Sequence, residues 1–228
     1  MVCLYICGAN NPEVIRLVQA INKNNSHWDQ IILLDDDKKK HGQSILGVNI
    51  LGPLKYLTKV DGVSAFLLTY VANTMPVRWM VRERLSTYGF PFEKLIHPKV
   101  DVSDVSIGVD TVVYEGSIIS PLVVLGDGCM VCPGSVIAHE SHLGRCCFVS
   151  PGAVINSRVE IGDGTFVGAN AMILPGKKIG AWSIIGAGAV VIEDVPAGAT
   201  VFGNPSRVIF QGKIPPDNVE NWVPPVKS

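Results

Sequence analysis

The chain has 228 residues, 47% hydrophobic and 17% charged, which is enough apolar content for a real core and too little charge for a disordered chain. Nineteen Lys and Arg nearly balance twenty Asp and Glu, leaving a net charge of −1, which argues against a nucleic-acid partner held by counterion release. No apolar run reaches the roughly 18 residues of a membrane span, and Met1–Ile6 lacks the basic start and cleavage site of a signal peptide. No membrane insertion is expected, and the expected compartment is the cytoplasm.

In chain order, Val2–Cys7 reads as an apolar strand that ends in a turn at Gly8, Ala9, Asn10 and Asn11. Asn11 can cap a helix with Pro12 in its first position, and Val14, Leu17, Val18 and Ile21 mark one helical face. Gln30–Leu34 reads as a second strand ending in Asp35-Asp36-Asp37, Gly62–Val71 as a third, and Pro76–Tyr88 as an amphipathic helix. Strands alternating with helices imply a small Rossmann-like parallel α/β sheet over residues 1–97. Ligands of such sheets sit at the carboxyl ends of the strands, here Gly8–Asn11 and Asp35–Asp37.

From Ile107 the pattern changes. Every sixth residue through Val191 is aliphatic, fifteen in succession, a run expected by chance on the order of a few times in 10⁵. A second register four residues further on is small in nearly every case. A period of six suits short strands joined by turns, one side of a solenoid per hexapeptide. Gly108, Gly126, Gly144, Gly162 and Gly180 recur every 18 residues, which gives three sides per coil and five coils.

Alternation along a strand points the residue before each aliphatic one outward. Side one then presents Ser106, Val124, His142, Glu160 and Lys178. Side two presents Val112, Met130, Phe148, Phe166 and Ile184, and side three Ile118, Val136, Val154, Met172 and Val190. Two apolar columns of that size predict that both sides pack against neighbouring copies around a threefold axis, as a homotrimer. The alternative is that another part of the chain covers one of them.

The hexapeptide pattern, with the closing Phe202–Ile209, resembles the hexapeptide-repeat transferases over residues 98–210, which implies a left-handed parallel β-helix followed by an extended tail over 211–228. Leu33–Asp37, Ile50-Leu51-Gly52-Pro53 and Leu95-Ile96-His97-Pro98 resemble one subgroup, the sialic-acid O-acetyltransferases and the N-acetyltransferases of nucleotide-linked 4-amino sugars. That resemblance implies acetyl-CoA as co-substrate, no metal, and a small-molecule amino-sugar acceptor. It implies a base at His139, its basicity raised by Glu140, with the acetyl end of the cofactor at Phe148 and Ser157 and its arm past Ala169 and Ala187. It places the acceptor at Gly8, Ala9, Asn10, Asp35 and Asp36, with the paired acids on the nucleotide base; otherwise they form an acidic turn in solvent. The first turn departs from the subgroup's Gly- and His-rich form, because Pro12 removes a backbone donor and Glu13 adds negative charge where a phosphate would sit.

The chemistry expected is direct attack of the acceptor amine on the thioester, with a base to take its proton and donors for the oxyanion. O-acetylation of a sialic-acid-like sugar is the alternative within the class, and a silent sugar-binding subunit the alternative outside it. His139 and His142 have no third histidine in the solenoid to complete a catalytic zinc site. Cys129 and Cys132 form a Cys-x-x-Cys spacing, but the period points them in different directions, so the six cysteines read as thiols.

Overall fold

The computed structural model describes residues 1–212 except 10, 26, 61–63 and 71–74. Four parallel strands, β1 (Val2–Cys7), β2 (Gln30–Leu34), β4 (Val48–Gly52) and β5 (Ser64–Thr69), form the N-terminal sheet. A short β3 (Ser44–Ile45) runs antiparallel to β4, giving the order β3-β4-β2-β1-β5. The central β1 sends Leu4 and Ile6 into one core and Cys3, Tyr5 and Cys7 into the other, the two-residue alternation of a strand covered on both faces. Helix α1 (Glu13–Asn25) starts where Asn11 Oδ1 accepts from the Glu13 amide at 2.9 Å, so the expected cap is formed. Its residues Val14, Leu17 and Val18 are buried. Helix α2 (Met75–Ser86) returns along the other face.

The solenoid consists of fifteen two-residue strands, β7 (Ser106–Ile107) to β21 (Val190–Val191), and the inward residue of each is the aliphatic one of the repeat. They stack in parallel 18 residues apart into three sheets, one per side. The prism is preceded by β6 (Leu95–Ile96) beneath side two and closed by β22 (Ala199–Phe202) and β23 (Arg207–Gln211) above it. Of the expected tail, Gln211 ends β23 and Gly212 follows; the remainder lies outside the described residues.

The recurring glycines stand where successive coils touch. A Cβ on Gly162 would lie 2.4 Å from the Ala181 amide nitrogen, inside any allowed contact. From Ile107 to Ile185 the third residue after each inward aliphatic turns the corner in the left-handed region, as at Gly128, Glu140 and Arg158.

The first coils of side two are not left free for a neighbouring copy; the alternative, cover by another part of the chain, holds there. Val112 and Met130 are buried in one cluster with Leu4, Val14 and Leu17, and Phe148 packs against that cluster. The N-terminal unit therefore covers the first coils of side two, because α1 and the sheet have an apolar face of their own to bury. Phe166 is half-buried and Ile184 exposed at the far end of that side. Side three stays open along its length, with Ile118 at 59% and Met172 at 39% exposure.

The junction is polar beneath this apolar layer. Arg78, fully buried, donates to the carbonyls of Gly128 (3.0 Å) and Asp110 (3.2 Å). Arg82 pairs with Asp127 at 3.0 Å and lies 3.3 Å from buried Asp110, whose carboxylate accepts from the Thr69 amide at 2.6 Å. On the adjoining row of α2, Glu83 pairs with Arg145 at 2.7 Å, and Trp79 meets the ring of Trp182 at 5.3 Å.

Candidate active site

His139 stands two residues after inward Ile137, where side three turns into side one, and its side chain is 49% exposed. Glu140 follows in the left-handed conformation, φ 60°, which turns its side chain alongside the ring: Oε1 lies 3.9 Å from His139 Nδ1. The coil stacking places Ser157 directly above His139 and Arg158 above Glu140. The Arg158 amide donates to the His139 carbonyl at 3.1 Å, and the Glu140 amide donates down to Pro121 at 3.3 Å. Arg158 Nε donates to Glu140 Oε2. That bond, with the charge of Arg158, holds the Glu140 carboxyl below the usual range.

Arg158 was not among the expected site residues. Its signal was in the sequence, because a residue 18 positions on lies one coil above.

The remaining expected cofactor residues divide. Ser157 shares the His139 corner. Ala169 and Ala187 lie on the next corner, between sides two and three, beside Gly168 and Gly186. Phe148 lies on side two, stacked on Phe166 with ring centroids 5.3 Å apart and packed against the N-terminal core. One chain thus carries two corner surfaces, separated by the open side three.

In the N-terminal sheet, Gly8, Ala9 and the acids come together at the strand ends as expected; Asn10 lies outside the described residues. Asp35 is buried, and its Oδ2 accepts from the Ala9 amide (2.9 Å) and Lys40 (2.8 Å), its Oδ1 from the Asp37 amide (2.9 Å). Burial pushes this carboxyl up, but those bonds and the Lys40 charge outweigh it and leave it below the usual range. Asp36 is half exposed; Oδ1 accepts from the Leu54 amide at 2.9 Å and Oδ2 from Arg84 at 3.1 Å. The six cysteines are buried and unbridged, with Cys129 and Cys147 stacked inward on successive coils. Among the described residues no three His, Cys, Asp or Glu side chains converge as metal ligands, and no helix is long and apolar enough to cross a membrane.

The family model for the bacterial transferase hexapeptide (six repeats) matches residues 122–157 and 158–193. The two matched stretches are consecutive and lie wholly within the solenoid. The chain is similar to the acetyltransferase domain of PglB from Neisseria gonorrhoeae, 27% identical over 91% of this chain and 99% of that one, with a TM-score of 0.81. That domain has also been solved in complex with acetyl coenzyme A. It is similar to PerB from Caulobacter crescentus in complex with CoA and GDP-perosamine, 27% identical over 90% of this chain and 96% of that one, TM-score 0.81. WeeI from Acinetobacter baumannii, 23% identical over 92% of this chain and 100% of that one, shares the fold with a TM-score of 0.80. Curated protein sequences gave no match. The repeat and its parallel sheets match the left-handed β-helix fold of the PglB acetyltransferase domain.

Proposed function

We propose that the protein is an acetyl-CoA-dependent N-acetyltransferase acting on the amino group of a nucleotide-linked amino sugar. The observation that carries this is the solvent-facing His139–Glu140 pair on a hexapeptide prism, in a chain similar over nine-tenths of its length to acetyltransferases solved with acetyl coenzyme A or with CoA and GDP-perosamine. Acetyl-CoA, when bound, supplies an activated acetyl group. The surface fits a slender chain: Ala169 and Ala187 reach solvent on a corner shared with Gly168, Gly186 and Gly188, where a ligand can approach the backbone.

His139 is the base. Its Nδ1 faces Glu140, so the other ring nitrogen takes the proton as the amine nitrogen bonds to the thioester carbonyl carbon and the carbon–sulfur bond breaks. The same nitrogen then returns the proton to the departing sulfur. Ser157, one coil above, bounds the acetyl group. A backbone amide holds the carbonyl oxygen.

The cofactor corner and the His139 corner lie on opposite edges of side three. Threefold packing on that side brings one chain's His139 toward its neighbour's Ala169 and Ala187 and buries the exposed apolar column. Residues 1–97 form a Rossmann-like acceptor-binding domain and 98–210 the acyltransferase domain, with Asp36 at the acceptor's base, Asp35 bracing the turn behind it and Gly8 and Ala9 beside them.

His139→Ala tests this. Incubated with acetyl-CoA and a panel of nucleotide-linked amino sugars, wild type should yield an N-acetylated product by mass spectrometry, and the variant should keep acetyl-CoA binding while kcat falls by roughly 10²–10⁴. Turnover above about a tenth of wild type would remove His139 as base.

A further inference from the structure

Glu140 stands between His139 and Arg158. Oε1 faces His139 Nδ1 at 3.9 Å, and Oε2 is bonded by Arg158 Nε. Arg158 is tied to the pair a second time, its amide donating to the His139 carbonyl at 3.1 Å. Both Glu140 and Arg158 hold φ 60°, a conformation that side chains bearing a Cβ disfavour. One coil higher at the same corner the position is Gly176, φ 69°. The coils below hold Asp104 and Leu122 in the same conformation, so the turn itself sets the backbone, and a Leu or a Gly serves it as well as a charged residue; the opposite charges on adjoining coils are what the turn does not demand.

We propose that Arg158 is a positioning residue that fixes the Glu140 carboxylate against His139 and sets, through its charge, the pH at which the pair takes a proton. This rests on the acyl-transfer reading above. With Arg158 present, its charge offsets part of the carboxylate's pull on a protonated imidazole. Without it, the imidazolium is favoured, and the base becomes available only at higher pH. Few other charges face the pair. The coil below presents Pro121 and Leu122, with Asp104 one coil lower at that corner, and the coil above presents Ser157 beside Arg158. Around the turn stands His142, followed on side one by Glu160 and Lys178, which pair with each other at 3.2 Å.

The test is the pH profile of kcat/KM for the acceptor. Arg158→Met should move the rising limb up by roughly 0.3–0.5 pH unit and lower kcat several-fold. Arg158→Gly, which the left-handed corner accommodates, should move it equally and keeps the test intact if the Met variant folds poorly. Arg158→Lys should leave the limb near wild type. In a Glu140→Gln background, Arg158→Met should add no further shift, because the carboxylate it acts through is gone. An unmoved limb in Arg158→Met and Arg158→Gly, or an equal shift with and without Glu140, overturns the proposal. His139→Ala with near-normal turnover would instead overturn the acyl-transfer reading itself.

Discussion

Asp35 and Asp36 are sequence neighbours, yet they differ in what they have left to offer a ligand. A carboxylate has about four acceptor sites. Asp35 spends three on Ala9, Asp37 and Lys40 and is buried, so it braces the first turn against the end of β2. Asp36 spends two and is half exposed, so it is the acid with acceptor sites open to an incoming base. Asp36→Ala should therefore raise the acceptor KM about tenfold, the worth of a hydrogen bond to a charged group, and leave the acetyl-CoA KM nearly unchanged in steady-state assays. Equal changes in both would return Asp36 to a bracing role. The acids were legible in the sequence because they end a strand. Their partners Lys40 and Arg84 were not, because Arg84 reaches Asp36 from α2 across 48 positions of chain. Arg158 is the opposite case, since the 18-residue spacing that stacks Cys147 on Cys129 also sets it above Glu140.

At the scale of elements, the solenoid was fully readable: each of its fifteen strands ends on a residue of the aliphatic run. Steric necessity makes it so, because the interior is filled by aliphatic and small side chains and the backbones of successive coils touch beside Gly126 and Gly162. Gly162→Ala should cost about 1–3 kcal/mol in urea unfolding, because the backbone of Ala181, 2.4 Å from the new Cβ, cannot swing aside as a side chain would. An unchanged urea midpoint would show that the coils can spread. In the N-terminal unit β1 and β2 matched their expected bounds, β5 ends at Thr69 while Gly62, Val63 and Val71 of its expected range lie outside the described residues, and α2 begins and ends one and two residues earlier. The β3–β4 hairpin was not legible. Its two-residue turn is Leu46-Gly47, both at positive φ, where an Asn-Gly or Asp-Gly pair would have announced it. The burial of Val112 and Met130 was misread for a related reason, because an outward apolar column looks the same whether a second copy or the same chain covers it.

For the whole molecule, one apolar side is left to explain. Threefold association predicts a sedimentation-equilibrium mass near three times 24.5 kDa. Met172→Lys, on the exposed side, should shift the protein toward monomer by placing a charge in the contact. A monomeric wild type at micromolar concentration would rule out a cofactor groove shared between chains. The junction between the two units has its own pH signature. Burial pushes the Asp110 carboxyl up to about 6, against the pull of Arg78, the Thr69 amide and Arg82. Between about pH 4 and that value the folded chain holds a proton that the unfolded chain has lost, so this group's contribution to stability falls as pH rises through the window and is level outside it. Asn at 110 keeps an oxygen for the Thr69 amide but cannot titrate. The melting temperature of Asp110→Asn relative to wild type should therefore climb from pH 4 to 7. A falling difference would mean that the two arginines keep the carboxyl charged throughout.

The grip of α2 on the prism also bears on how the molecule would yield to force. A solenoid whose coils touch only their neighbours peels from an end, one coil at a time, each at a similar low tension. Here Arg78 and Arg82 hold the coils of Asp110 and Gly128, while Trp79 and Glu83 hold those of Trp182 and Arg145. One helix, belonging to none of these coils, acts as a staple across their seams. Pulled along the prism axis, such a chain would resist until the staple let go and then lengthen in a single large step, taking the coils around His139 with it.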